Sequence, residues 1–241
     1  MEILADLHTH TVSSGHAYST LTENARAAAE KGMRLLGITD HGPAMPGGPD
    51  LYHFGNLHVL PGELFGVRIL YGAETNIVSR EGELDLPVRY LRKMQIVLAG
   101  LHVYCYPGGS REQNTQALIK VMQNPFVDMI AHPERVGFDA DLERIAQASA
   151  EWGVPIEINN ATLRSSKQGA ETNASALAEA AAHYQSPVIL SSDAHFWDRI
   201  GELDRALAVA KNAGISEQQI LNISPDRVLH YLHHRHAKRP K

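Results

Sequence analysis

Ile3-Leu4-Ala5-Asp6-Leu7, then a helical stretch over 21–31, then Leu35-Leu36-Gly37-Ile38-Thr39 make a strand–helix–strand unit, and this unit decides the fold. Both strands are short and apolar almost throughout, as expected of parallel strands covered on both faces. The rhythm continues outward through apolar runs at 68–71, 96–101, 128–131, 155–158 and 187–191. Helical patterns at 112–122, 142–152, 174–184 and 201–212 separate most of them, and a final one covers 225–235. Alternation of this kind implies βαβ units. Seven or eight strands, with no glycine-rich phosphate loop after the first, favour a closed α/β barrel over an open dinucleotide-binding sheet. The stretch 42–66 is rich in proline and glycine and reads as a long loop, a feature that usually serves binding. One domain over 1–241 is the expectation.

An apolar fraction of 44% is ample for a core, and a net charge of −5 argues against a grip on polyanionic backbone. The single cysteine, Cys105, excludes an internal disulfide framework and fits a reducing compartment. No run is long and apolar enough to span a bilayer, and no secretory leader pattern opens the chain. A cytoplasmic protein without membrane or nucleic-acid partners is expected, its oligomeric state unread. The 14 histidines stand out, because those outside the C-terminal segment fall mostly at the ends of predicted strands. His230, His233, His234 and His236 form a separate cluster that reads as a solvated helix end.

Four motifs carry the chemistry. Asp6-Leu7-His8-Thr9-His10 closes the first strand, with His16 just beyond, and alternation points His8 and His10 the same way. Thr39-Asp40-His41 closes the second, and Ala131-His132-Pro133 a later one, with His102 in the same place one strand earlier. Ser191-Ser192-Asp193-Ala194-His195 supplies another pair two residues apart, and Glu74 ends the third strand. In a parallel barrel all these strand ends open onto one mouth. Seven histidines with Glu74 and Asp193 are too many for one tetrahedral ion and enough for two or three. Imidazole and carboxylate without thiolate suit Zn2+, with Mn2+ or Fe2+ as alternatives.

These motifs resemble those of the PHP (polymerase and histidinol phosphatase) family, most closely its small YcdX-like bacterial phosphatases, from Asp6 to about His195. Asn159-Asn160 after the sixth strand and the long loop strengthen the likeness. The resemblance implies a distorted seven-stranded β/α barrel, a trinuclear site and phosphoesterase activity. It implies that His8, His10, Glu74 and Asp193 hold one ion, Glu74, His102 and His132 a second, and His16, His41 and His195 a third. Asp40 is expected to accept a hydrogen bond from a ligand histidine and fix its tautomer. Asp6 would do the same or brace the barrel rim.

The expected reaction is hydrolysis of small phosphate monoesters by a metal-bound hydroxide. Asp139 to Asp141 lacks the rest of an aspartyl-phosphate motif, so no covalent phospho-enzyme is expected. Arg135, Arg164, Lys167 and His53 are the candidate substrate contacts. The alternatives are a histidinol-phosphate phosphatase, a nuclease of the same family, and a metal-binding scaffold without catalysis.

Overall fold

Seven parallel strands close the barrel in the order β1 (Ala5–Thr9), β2 (Leu35–Ile38), β4 (Val67–Asn76), β5 (Ile96–Gly100), β6 (Met129–Ile130), β7 (Ile156–Asn159) and β8 (Val188–Ser191). The short β3 (Glu63–Leu64) pairs antiparallel with β4, outside the ring. Closure is made by a parallel bridge between Thr9 and Ala194, where the His10 amide donates to the Ala194 carbonyl at 2.9 Å. The computed structural model describes residues 1–240, so Lys241 of the expected 1–241 domain lies outside the described residues.

The helices are α1 (Leu21–Glu30), α2 (Leu51–Asn56), α3 (Val88–Leu91), α4 (Arg111–Met122), α5 (Leu142–Trp152), α6 (Asn160–Arg164), α7 (Ala170–Tyr184), α8 (Asp204–Asn212) and α9 (Pro225–His236). Local sequence starts several of them. Thr20 with Glu23 and Ser110 with Gln113 form capping boxes on α1 and α4. Asp141 caps α5 by accepting from the Arg144 amide, so the Asp139–Asp141 run begins a helix.

Two apolar layers result. Leu7, Leu35, Leu70, Leu98, Met129 and Ile189 fill the barrel interior, and Val228 and Leu232 of α9 pack against them. The larger layer lies between the strands and the surrounding helices. Helix α9 is tied down by polar contacts: the Tyr231 hydroxyl donates to the Asp128 carbonyl at 2.7 Å, and Arg239 pairs with buried Asp128 at 3.0 Å. His230, His233 and His234 are exposed as expected, whereas His236 turns back to Asp128 at 3.1 Å.

The stretch 42–66 differs from its sequence reading: it is not an unstructured loop, since it contains α2 and β3. The first strand differs as well, running two residues further than its apolar run, because His8 and Thr9 keep pairing while facing a polar mouth. Its register also slips between Asp6 and Thr9. This bulge lets Leu7 join the apolar interior while His8 and His10 still reach the mouth. Gly37 on the neighbouring strand permits it, since a Cβ there would sit 2.5 Å from the Leu7 carbonyl oxygen.

Candidate metal centre

Glu74, wholly buried, stands at the centre of the mouth. Its Oε1 lies 2.6 Å from His132 Nε2 and 3.1 Å from His102 Nε2. Its Oε2 lies 2.7 Å from His41 Nδ1, 3.3 Å from His8 Nε2 and 3.5 Å from His10 Nε2. Asp193 approaches the same imidazoles from β8, with Oδ1 3.2 Å from His10 Nε2 and 3.6 Å from His8 Nε2. Four groups of three have donor atoms all within 4.8 Å of one another: His8 with Glu74 and His132, His8 with His10 and Asp193, His41 with Glu74 and His102, and His10 with His41 and His195. His16 belongs to none of these groups. It is exposed at the mouth, its ring 4.9 Å from those of both His41 and His195.

Several of these atoms are buried without a hydrogen-bond partner: His41 Nδ1, Glu74 Oε2, both ring nitrogens of His102 and Nδ1 of His132. Unsatisfied buried polar atoms are rare, and His41 Nδ1 and His102 Nε2 are turned to the two oxygens of Glu74, so the donor set fits divalent ions. His132 and Asp193 also hold left-handed backbone, with φ of 30° and 51°. Such strain costs about 1–3 kcal/mol per residue and persists where a site requires it.

Electrostatics sets the charge of these side chains. Burial would raise the Glu74 carboxyl, but His8, His102, His41 and His132 outweigh it and hold its pKa well below the usual range. Asp193 is held down in the same way by His8, His10 and Arg135. Burial lowers His102 to about 4, and burial with the neighbouring His195 and His41 lowers His10. At neutral pH the carboxylates are therefore charged and these two imidazoles neutral, the forms that bind metal. His8 is the exception: Glu157, Glu74 and Asp193 overcome its burial and raise it.

The residues behind the ligands include three that the sequence reading did not single out. Glu157 accepts from His8 Nδ1 at 2.8 Å and from the His132 amide at 2.7 Å. Its signal is a carboxylate inside an otherwise apolar strand, where Ile156 and Ile158 pack in the outer layer and Glu157 takes the opposite face. Ser14 contacts His10 Nδ1 at 3.0 Å and donates to Asp40 at 2.6 Å. Glu134, wholly buried beside Glu157, is pushed up to about 8 and is protonated at neutral pH.

The expected supporting residues occupy distinct places. Asp40 meets no ligand histidine directly. It accepts from the Thr11 amide and hydroxyl and reaches His10 only through Ser14. Asp6 braces the rim, accepting from the amides of Ser192 at 3.1 Å and Gly201 at 2.9 Å. Arg135 donates to Asp193 Oδ2 at 2.7 Å, and Lys167 lines the cavity onto which His16, His41, His102 and His195 open. Arg164 is engaged by Glu202 at 2.5 Å. His53 sits on α2 against Phe54 and lines a different cavity.

Glu157→Gln should weaken metal affinity about 10- to 100-fold, because His8 loses the carboxylate that orients its ring. Chelator competition reads this, and an unchanged affinity would show that Glu157 does not orient a ligand. A second expectation concerns Cys105, whose thiol is pushed up to about 11 by burial and so stays protonated well above neutral pH. Its alkylation at pH 8 should run roughly 100-fold slower than that of an ordinary exposed thiol and accelerate toward pH 11. Rapid labelling at pH 8 would contradict the burial.

The PHP domain family model matches residues 6–232. A protein of Thermoanaerobacter sp. (strain X514) named a probable phosphatase is 46% identical, the alignment covering 99% of this chain and 98% of that one. The solved histidinol phosphate phosphatase of Lactococcus lactis, complexed with zinc, L-histidinol and phosphate, superposes with a TM-score of 0.64. It shares 18% identity over 90% of this chain and 95% of that one. A chain of archaeal ribonuclease P, solved with mature tRNA, superposes at 0.54 with 15% identity, covering 96% of this chain and 90% of that one. At such identities these structures show a common fold and no more.

The chain belongs to the PHP domain family. It is a hydrolase with a histidine and carboxylate cluster able to bind metals. Among the described residues no helix is long and apolar enough to cross a membrane.

Proposed function

We propose that this chain is a metal-dependent phosphatase of small phosphate monoesters, with up to three divalent ions, zinc foremost, held by His8, His10, His16, His41, Glu74, His102, His132, Asp193 and His195. The observation that carries this reading is the convergence of buried imidazole nitrogens on the two oxygens of Glu74, those of His41 and His102 without a hydrogen-bond partner. The relatives named probable phosphatases support it, as does the zinc in the Lactococcus structure. Bound ions would polarise a phosphoryl oxygen and make water a stronger nucleophile at neutral pH.

The chain's own residues do the rest. Glu74 keeps its charge between the two halves of the donor set. Glu157 fixes the ring of His8 and the backbone of His132. Arg135, anchored on Asp193, keeps a positive charge at the cavity where phosphoryl oxygens gather. Asp141 caps α5 and exposed Asp139 pairs with Arg111 at 3.6 Å, so neither is placed as a phosphate-accepting nucleophile. A cavity of about 560 Å³ suits a small ester better than a nucleic-acid strand. Domain unity and a cytoplasmic setting belong to the same reading.

The test is turnover by the metal-reconstituted protein on p-nitrophenyl phosphate, on alkyl monoesters and on a phosphodiester. Monoester hydrolysis abolished by chelation and restored by Zn2+ or Mn2+ is expected, with diesters at least about 100-fold slower. Metal-loaded protein without turnover on any ester would instead mark a binding scaffold.

A further inference from the structure

Resting on the phosphatase reading, we infer that the preferred substrate esterifies phosphate with a flat, apolar alcohol, an aryl or arylalkyl group, in place of a sugar, polyol or amino alcohol. The cavity before His41, His102 and His195 has about 560 Å³, of which a phosphoryl group fills a minor part. The rest is walled by Met45, Leu101, Val103, Tyr104, Val136 and Phe138. Val103 and Tyr104 follow β5 and stand 64% and 77% exposed at the mouth, large apolar surfaces left for something to cover. Phe138 is held edge-to-face against Tyr106, with ring centroids 5.5 Å apart, and so presents a fixed wall.

What the lining lacks is as informative. Apart from the histidines, its polar groups are the Tyr104 hydroxyl and the cations of Arg135 and Lys167; no carboxylate, amide or serine hydroxyl lines it. Sugar hydroxyls would enter without the hydrogen-bonding partners that reward their desolvation. An ammonium on the alcohol would find no counter-charge and two like charges. The wall therefore selects a neutral or anionic apolar ring and disfavours an amino alcohol such as histidinol.

The experiment compares kcat/KM for 2-phenylethyl phosphate, ethyl phosphate and phosphoethanolamine on the metal-reconstituted protein. Ethanol and 2-phenylethanol are nearly matched leaving groups and the ammonium only improves that of phosphoethanolamine, so a gain for the phenyl ester or a loss for the amino ester reports binding of the alcohol. We expect 2-phenylethyl phosphate to exceed ethyl phosphate by about 30-fold, the factor from burying one phenyl ring. Phosphoethanolamine should fall below ethyl phosphate. Tyr104→Ser, at an exposed position where folding is safe, and Phe138→Ser should each cut the 30-fold ratio at least about fivefold, mainly through KM. A ratio near one, or a ratio that neither variant changes, overturns the inference while the phosphatase reading stands. No hydrolysis of any monoester, p-nitrophenyl phosphate included, would sink both.

Discussion

Glu74→Gln is expected to lower kcat/KM for a phosphate monoester by about 10³-fold or more and to strip at least one ion from each chain. The amide keeps the shape of the side chain, so the fold should survive. What it loses is charge. One oxygen of Glu74 lies within 3.1 Å of His102 and His132, and the other within 3.5 Å of His8, His10 and His41. Among the described residues no other carboxylate lies within 4.0 Å of imidazole nitrogens in both halves of the donor set, so one substitution weakens both. A loss of roughly 4 kcal/mol in transition-state stabilisation corresponds to about 10³ in rate. Glu74→Asp keeps the charge on a shorter arm and should retain more metal than Gln. Metal content and steady-state rates read the outcome together, and near-normal values in Glu74→Gln would remove Glu74 from the centre of the site.

The largest effect on stability is expected from Gly72→Ala. Residues 68–71 of β4 pair with β2, and Gly72 is where its pairing with β5 begins. A Cβ there would lie 1.8 Å from the carbonyl oxygen of Ile96, which is backbone and cannot rotate aside. The strands must separate or the barrel must distort. Overpacking of this kind costs about 3 kcal/mol or more, and the melting temperature should fall by roughly 10 °C. Gly62→Ala is the control: nothing lies within 4 Å of its added Cβ, and its stability should stay within about 0.5 kcal/mol. Equal melting temperatures for the two variants would refute the steric account.

The sequence reveals more of the mouth than of its supports. Strands and helices alternate where apolar runs and amphipathic stretches place them, because parallel strands covered on both faces leave that pattern. Ligand-type residues at strand ends are visible because a polar side chain there has little structural use. The bulge that aims His8 and His10 is invisible in sequence, since it depends on Gly37 lying beside Leu7 in space. Glu157 could have been found by its charge within a buried strand. The route from Asp40 to His10 through Ser14 could not, since no pattern announces a serine that bridges two residues 30 positions apart. The fold of 42–66 escaped because α2 spans only Leu51–Asn56 and β3 two residues, lengths at which periodicity carries no signal.

The most direct test of the central claim is the metal content of the purified, reconstituted chain, measured by inductively coupled plasma mass spectrometry beside His16→Ala and Glu74→Ala. Seven histidines around Glu74 and Asp193, nine ligand-type side chains together, predict close to three ions per chain, falling in both variants together with p-nitrophenyl phosphate hydrolysis. Less than one ion per chain after reconstitution would contradict it.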